Sequence, residues 1–213
     1  SISGGWVPTQ YDWYRNLLPF NNFLKFRASW GRVGNDRLKD ENGNDIRFPY
    51  LTTLGNVSST WGTGLAENRT GSMNLKWEVS TKTNFGIDAR FFDDKVDMTV
   101  DFFHTKTTDI FQRRANIPDE GGLSNVLPYA NIGSMKSWGM DGTLAYTHTF
   151  NKDMALTVRG NFTHAENEVI YWEQSGVNYP YQSNSGVPYK VQRGLIALGL
   201  FKDEDDIKSS PKQ

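Results

Sequence analysis

Residues 75–106 read LKWEVSTKTNFGIDARF, then FDDK, then VDMTVDFFHTK, and apolar and polar residues alternate along both long runs. Successive side chains of a β-strand point to opposite faces, so this period of two predicts two strands that each have one apolar and one polar face. The break at Asp93-Asp94 predicts a two-residue turn between them, and hence a hairpin. Each predicted strand has about 15 residues, whereas strands of globular proteins usually have about 5–6.

The composition of the chain excludes several classes of protein. Its 213 residues are enough for one large domain or two small ones. The mean hydropathy is −0.59, and no apolar run approaches the roughly 20 residues of a transmembrane helix. The 23 Lys and Arg residues are spread along the chain beside 24 Asp and Glu residues, so no nucleic-acid partner is predicted. The absence of Cys excludes disulfides, thiolate metal sites and a Cys nucleophile.

The same alternation, together with local capping signals, predicts the remaining elements. Residues 1–7 are predicted to end a strand, and residues 9–18 to form a short helix with Thr9 as its N-cap and Pro19 as its stop. Further strands are predicted at 23–33, 132–150 and 154–171, with a tight turn at 151–153.

Three long polar segments separate these strands, at 34–74, 111–130 and 172–213. They are rich in Gly, Asn, Asp, Ser and Thr, and loops beyond about 12–15 residues are uncommon in compact domains unless they are functional. Long and short connections alternate along the chain, and alternate connections of an up-and-down sheet lie at opposite ends. The long loops are therefore predicted at one end and the short turns at the other, which is typical of an outer-membrane β-barrel.

The predicted fold is all-β: an antiparallel up-and-down transmembrane β-barrel, of which this chain supplies about five long strands. In hydrocarbon every backbone N–H and C=O group must be paired within the protein, so strands must close into a barrel. Apolar side chains then face lipid, and polar side chains face the lumen. The predicted lumen-facing residues are Lys76, Glu78, Lys82, Asp88, Arg90, Asp97, Asp101 and Arg159.

Four blocks of the sequence resemble one known family. They are NFLKFRASWGRVGN at 22–35, the hairpin at 75–108, NIGSM at 131–135 followed by WGMD at 138–141, and GLIALGLF at 194–201. In this order they resemble successive blocks of SusC/RagA-type TonB-dependent transporters, the outer-membrane nutrient importers of Bacteroidota. The resemblance covers most of the chain, and several blocks in the family's order are far more specific than any one alone.

The resemblance implies that residues 1–213 are a portion of one TonB-dependent receptor β-barrel domain of about 22 strands. The plug, the N-terminal domains and the last strands would lie outside this chain. It also implies a location in the outer membrane of a Gram-negative bacterium, with the long loops extracellular. Such transporters work with a SusD-like surface lipoprotein and use energy passed on by TonB to import oligosaccharides or peptides. Neither a cofactor nor an enzymatic activity is expected.

Two other functions stay open at this point. A siderophore or cobalamin receptor would share the barrel, although the blocks at 131–135 and 194–201 argue against it. A soluble β-sandwich that binds carbohydrate belongs to a different class, and its strands also alternate. Burial distinguishes the two folds, because a sandwich covers the apolar face that holds Phe85 and Val100 with a second sheet, whereas a barrel leaves that face to lipid.

The candidate binding residues are loop aromatics, whose flat apolar faces suit stacking on sugar rings or peptide side chains, and equally packing against a partner protein. They are Tyr50, Trp61, Tyr129, Tyr171, Trp172, Tyr179 and Tyr181. The three His residues lack metal-ligand spacing and no Gly-x-Ser-x-Gly motif is present, so no catalytic site is predicted. Asp203 and Asp205 could ligate calcium, but carboxylates are also favoured in the first turn of a helix, and a short helix that opens at Asp203 is the preferred interpretation.

Overall fold

The computed structural model describes residues 1–39, 43–60, 62–117, 126–194, 196–197 and 199–209. Within these residues the strands are β1 (Ile2–Trp6), β2 (Asn21–Asn35), β3 (Thr53–Ser59), β4 (Gly62–Arg69), β5 (Glu78–Phe91), β6 (Val96–Arg113), β7 (Tyr129–Asn151) and β8 (Met154–Tyr171). The α-helices are α1 (Asp12–Leu17) and α2 (Glu204–Ser209), and 3-10 helices lie at Pro8–Gln10 and Pro180–Gln182. No helix in this part of the chain is long and apolar enough to cross a membrane.

Six strands form one antiparallel sheet in the order β1-β2-β5-β6-β7-β8, while β3 and β4 form a separate hairpin. Each strand of the large sheet pairs with the next sheet strand along the chain, so the predicted all-β, antiparallel up-and-down topology is confirmed. The predicted unusual length is confirmed as well, since β6 and β8 have 18 residues and β7 has 23. In the described part of the chain this sheet is open, with β1 and β8 at its edges.

Cross-strand rows show that the sheet has one apolar and one polar face. Directly paired residues of antiparallel strands lie on the same face. One row runs through Ala28, Phe85, Phe102 and Met140, and the adjacent row runs through Arg27, Gly86, Asp101 and Asp141. The first row belongs to the apolar face and the second to the polar face. The predicted alternation is therefore confirmed at the level of the whole sheet.

A row that contains aromatic side chains bounds the apolar face at each end of the strands. Towards the long connections, a row with Trp30 and Trp138 is followed by a row that contains Arg32, Lys106, Lys136 and Glu168. Towards the short turns, Phe91 shares a row with Val96, Tyr146 and Val158 and stacks on Phe20 at 6.4 Å. These two rows cross β5 at residues 83 and 91 and limit an apolar band. Along the strand this apolar band is about 26 Å long, at a rise of about 3.3 Å per residue.

No second sheet covers the apolar face in the described part of the chain. Among the described helices and strands, the 3-10 helix Pro8–Gln10 beside β2 is the one element that makes several contacts with a strand of this sheet other than its paired neighbours. Leu144 is 52% exposed and Val158 is 60% exposed. A β-sandwich would bury this face under another sheet. The sandwich alternative is therefore wrong.

The connections at one end of the sheet are long, as predicted, whereas at the other end two are short and the third, residues 7–20, contains the 3-10 helix Pro8–Gln10 and α1. The turn end carries residues 7–20, 92–95 and 152–153. The loop end carries residues 36–77, 114–128 and the segment after residue 171. The tight turn predicted between the last two strands is confirmed, because Lys152 and Asp153 alone separate β7 from β8.

The turn between β5 and β6 is longer than predicted, since four residues, 92–95, form it rather than two. Phe92, Asp93 and Asp94 have φ angles of 56°, 55° and 62°, a left-handed backbone that Asp tolerates better than Phe. The start of the neighbouring strand β2 supports the turn, because the Asp93 N–H donates to Asn22 Oδ1 at 2.9 Å. This support comes from 71 residues away in the chain, so the local sequence signal could not include it.

The predicted N-cap of the first helix is wrong. α1 begins at Asp12 with Tyr11 as its N-cap, and no side chain caps it. Thr9 instead lies buried in the preceding 3-10 helix, where its Oγ1 accepts a hydrogen bond from the Leu24 N–H at 3.3 Å. The hydroxyl group satisfies a backbone donor of β2, and this tertiary contact prevails over the local capping pattern.

The segment at 34–74, predicted as a loop, contains the β3–β4 hairpin. The two strands read TLGNVSS and GTGLAENR, in which Gly, Ser and Asn interrupt any alternation of apolar residues, so the usual strand signal is missing. The second predicted loop is shorter than expected, because β6 extends to Arg113 and β7 begins at Tyr129. β6 and β7 therefore stay paired beyond the row of Trp138, where the apolar part of the face ends.

Candidate functional site

An ion-pair network lies on the polar face of the sheet. Arg27 on β2 donates from Nε and Nη2 to the two carboxylate oxygens of Asp88 on β5, at 2.8 and 2.9 Å. Its Nη2 also donates to Asp101 Oδ2 on β6 at 3.1 Å. Arg27 can reach across β5 because residue 86, its partner in the pairing, is Gly. A Cβ at Gly86 would lie 2.7 Å from Arg27 Cζ, so the glycine makes room for the guanidinium.

The charged residues predicted for one face share it, with one exception. The strand register places Glu78, Lys82, Asp88, Arg90, Asp97, Asp101 and Arg159 on the polar face. Lys76 precedes β5 and lies outside the paired strands. Two of the carboxylates pair with Arg27, which was visible in the alternation of residues 23–33 but was absent from the predicted set. Arg27 and these two carboxylates thus neutralise each other across three strands of the polar face.

A cavity of about 790 Å³, here termed the loop-end cavity, lies where the long connections leave the sheet. Its walls come from the ends of β2, β5, β6 and β7 and from the connections at their loop end. Four aromatic side chains line it. Phe111 and Tyr129 stack with ring centroids 4.8 Å apart and an interplanar angle of 5°, and Trp172 lies 6.0 Å from Tyr189.

The loop-end cavity gathers only part of the predicted aromatic set. Tyr129 and Trp172 line it, together with two rings that sequence reasoning missed. Tyr179 and Tyr181 instead stack on each other at 5.5 Å and are 57% and 70% exposed. Tyr50 packs edge-on against a neighbouring Phe ring at 6.2 Å, and Tyr171 is the last residue of β8. Trp61 lies outside the described residues.

Two polar side chains organise the strand ends around the cavity. Glu78 accepts hydrogen bonds from Asn35 Nδ2 at 3.0 Å and from the Phe111 N–H at 3.1 Å, which joins β2, β5 and β6. Asn131 on β7 donates from Nδ2 to Asp109 O at 2.9 Å. Asp109 lies at a register shift in β6 and has a φ of 56°, so Asn131 supports a β-bulge. The NIGSM block thus has a structural role that its sequence pattern did not reveal.

Glu173 is a buried carboxylate that ties two long connections together. It accepts hydrogen bonds from Arg114 Nε at 2.9 and 3.0 Å, and from the N–H groups of Ala115 and Asn116 at 2.9 and 2.8 Å. Burial raises the pKa of Glu173, but the two N–H donors and the Arg114 guanidinium outweigh burial, and the net pKa lies below its usual value. The ionised carboxylate thereby holds the connection after β6 against the segment after β8.

Replacing Glu173 by Gln in the intact protein should loosen this attachment. We expect the amides of Ala115 and Asn116 to exchange hydrogen about tenfold faster or more, because hydrogen bonds to a charged acceptor contribute roughly 1.5–3 kcal/mol. Amide hydrogen exchange resolved by mass spectrometry would measure this. Glu168→Gln is the matched control, since Glu168 pairs with Lys136 on the apolar face and should leave both amides unchanged. Equal exchange in Glu173→Gln and the unsubstituted protein would contradict the assignment.

The same attachment should depend on pH with a defined sign. A carboxylate whose pKa is lowered on folding contributes stability above its unfolded pKa, about 4.3 for Glu, and loses it as the pH falls through the lower folded value. Glu173 should therefore hold the two connections together at neutral pH and release them as the pH falls below the usual titration range of Glu. The loss should be absent in Glu173→Gln.

The acidic run at the start of α2 makes contacts that suit a helix start. The predicted short helix is confirmed at Glu204–Ser209. Asp203 Oδ1 accepts a hydrogen bond from the Asp206 N–H at 2.8 Å, and Asp205 lies 3.5 Å from Lys208 Nζ. Within the ranges that the structure describes, no group of three or more His, Asp or Glu side chains is arranged to hold a metal ion.

The sequence matches the TonB dependent receptor-like β-barrel family over residues 5–196. The chain therefore belongs to this family, and the open sheet is part of such a barrel. Among curated proteins it is 32% identical to TonB-dependent receptor P39 of Formosa agariphila, over 99% of this chain and 20% of that receptor. It is 25% identical to TonB-dependent receptor SusC of Bacteroides thetaiotaomicron, over 99% of this chain and 22% of SusC.

Solved structures give the same result. The RagAB peptide importer in its open-open state superposes with a TM-score of 0.61 at 25% identity, over 80% of this chain and 18% of that one. Its closed-closed state gives a TM-score of 0.60 at 26% identity, over 83% and 19%. The resemblance to SusC/RagA-type transporters is thus confirmed. The chain spans about a fifth of the length of these relatives.

Proposed function

We propose that the protein to which this chain belongs imports oligosaccharides or peptides across the outer membrane, with energy transmitted by TonB and with a SusD-like surface lipoprotein as partner. It acts as a transporter and not as an enzyme. Residues 1–213 form one portion of the barrel wall, and the plug, the N-terminal domains and the last strands are supplied from outside this chain. The similarity to SusC and to RagAB supports this proposal.

The observation that carries the proposal is the single-layered sheet whose apolar face is uncovered, in a chain of this family. Tilted by about 40°, the apolar band of about 26 Å would stand roughly 20 Å high, close to the roughly 25 Å band of outer-membrane barrels. Beyond its upper limit at Trp30 and Trp138, the row with Lys106 and Lys136 would reach the lipid headgroups. On this basis the apolar face contacts lipid and the polar face lines the lumen.

The difference between the two ends of the sheet supports an orientation. Outer-membrane barrels have short periplasmic turns and long extracellular loops, so the turn end would be periplasmic and the loop end extracellular. An incoming substrate would then meet the loop-end cavity, where Tyr129 and Trp172 could stack on it. The exposed pair of Tyr179 and Tyr181 suits docking of the partner lipoprotein, because aromatic residues are enriched at interfaces.

Deletion of the complete gene in the source bacterium tests the import function. We expect uptake of one class of labelled oligosaccharide or peptide to be lost, restored by the full-length gene, and lost again without TonB or the proton-motive force. Growth on free monosaccharides and amino acids is the control and should not change. If uptake of every member of the panel persists in the deletion strain, the proposal fails. The siderophore or cobalamin alternative predicts instead a defect in iron or cobalamin uptake.

A further inference from the structure

The lining of the loop-end cavity is rich in positive charge. Arg37, Lys39, Arg113 and Lys190 contribute to it, and Glu78 is its one carboxylate in the described part of the chain. Glu78 already accepts two hydrogen bonds from within the wall. A cavity with this balance attracts anions, because low-dielectric walls concentrate the field of like charges.

Two of these cations are available to a ligand. Arg37 is engaged, since its Nε and Nη2 donate to the two carboxylate oxygens of Asp45, both at 2.9 Å. Asp45 is paired with Lys39 along the backbone, and the pKa of Asp45 is lowered by its hydrogen bonds to Arg37 and, to a smaller extent, by the charge of Lys39. Because Arg37 binds both oxygens of Asp45, no direct ion pair holds Lys39, and none holds Lys190, among the described residues. Lys190 Nζ instead lies 5.5 Å from the centre of the Tyr189 ring, and both residues line the cavity. The cavity therefore presents ammonium groups next to an aromatic face.

The polar face of the sheet provides a contrast. A depression of about 400 Å³ at Gly86 is lined by Lys25, Arg27 and Asp101. There Arg27 lies between two carboxylates, Asp88 and Asp101, that bind it directly. That site is neutralised by its own residues and has no charge left for a ligand. The positive lining of the loop-end cavity is therefore a local property and not a feature of the whole wall.

From these observations we infer that the loop-end cavity binds an acidic oligosaccharide, one that carries carboxylate or sulfate groups on its sugar rings. This inference rests on the proposed import function. The ring of such a sugar stacks on the aromatic walls, and the anionic substituent lies near Lys39 and Lys190.

Binding to the intact transporter, purified with its lipoprotein partner, tests the inference. The probes are uronic-acid and sulfated hexasaccharides, compared with the methyl-esterified or desulfated forms of the same chains. We expect the acidic forms to bind more tightly and to lose affinity as salt is raised, since exposed charges are screened. Lys39→Gln and Lys190→Gln should each weaken binding about fivefold, the upper range for a solvent-accessible ion pair. Isothermal titration calorimetry at low and at physiological salt would measure both effects.

Lys152→Gln is the matched control, because Lys152 lies in the β7–β8 turn at the opposite end of the sheet. It removes the same charge and should not change binding. Circular dichroism and thermal melting of all three variants would show that they fold normally. Equal binding of acidic and neutralised sugars, or an equal effect of Lys152→Gln, would overturn the inference.

The failure of this inference can be told apart from failure of the proposed function. If deletion of the gene abolishes uptake of a neutral glycan or of an acidic peptide, the import function stands and the acidic-sugar assignment is wrong. If deletion changes no uptake at all, the import function itself is wrong. If uptake of an acidic oligosaccharide is lost and the lysine variants reduce its binding, both are supported.

Discussion

Val100→Arg should sharply reduce the amount of folded barrel in the outer membrane, whereas Thr99→Arg should not. The two residues are neighbours on β6, and Val100 lies on the apolar face, paired with Ile87 in the middle row of the apolar band. Thr99 lies on the polar face, paired with Asp88. An Arg on the lipid face near the bilayer midplane costs roughly 2–4 kcal/mol, while one in a polar lumen is solvated.

Denaturant unfolding of the intact protein in lipid vesicles would measure the difference. Val100→Arg should lower the free energy of unfolding by about 2–4 kcal/mol, and Thr99→Arg should change it by at most about 0.5 kcal/mol. Because both variants add the same side chain to adjacent positions of one strand, strand propensity cancels in the comparison. Equal effects of the two substitutions would mean that Val100 does not face lipid.

Gly139→Ala should destabilise the sheet strongly, although it adds one methyl group. A Cβ at Gly139 would lie 2.2 Å from His164 O and 2.9 Å from Ala165 Cα, both on the backbone of β8, and 2.8 Å from the Phe103 ring on β6. Real Cβ atoms essentially never approach other atoms within 3.0 Å, so the β7–β8 pairing would have to shift. Overpacking of this kind typically costs about 1–3 kcal/mol, and more where backbone must move.

Gly160→Ala on β8 is the matched control, since a Cβ there meets no atom within 4 Å. It should leave stability unchanged or raise it slightly, because Ala loses less backbone entropy than Gly on folding. The heat resistance of the folded barrel on semi-native gels, together with denaturant unfolding, would compare the two variants. A Gly139→Ala protein as stable as Gly160→Ala would show that the strands separate without cost at this point.

Sequence reasoning predicted the six-stranded sheet well, because the alternation of apolar and polar residues is a local signal. Each side chain of a strand takes its face from its own position in the period of two, so Phe85 and Asp88 could be assigned without knowing their partners. It failed where the partner is distant. Thr9 looked like a helix cap, but its hydroxyl group accepts from the Leu24 N–H, and the β3–β4 hairpin carries no alternation to detect.

The candidate site could be predicted only in part for the same reason. Aromatic residues in long polar segments are visible in the sequence, and two of them, Tyr129 and Trp172, line the loop-end cavity. Nothing local marks Gln112 or Glu173 as buried, because the burial arises where the connection after β6 meets the segment after β8. Polar residues at strand ends and in loops are usually solvated, and here only the packing of the segment after β8 against the end of β6 and the connection that follows it buries them.

The sequence by itself thus determined the long strands of the large sheet, their two faces and the end that carries the long connections, because a period of two and the spacing of turn residues depend on residues that are neighbours in the chain. The tertiary structure alone decided which charges neutralise each other and which remain for a ligand. Arg27 is neutralised because Gly86 lets it reach Asp88 and Asp101 across a strand. Contacts between segments distant in the chain likewise bring Lys39 and Lys190 into one cavity.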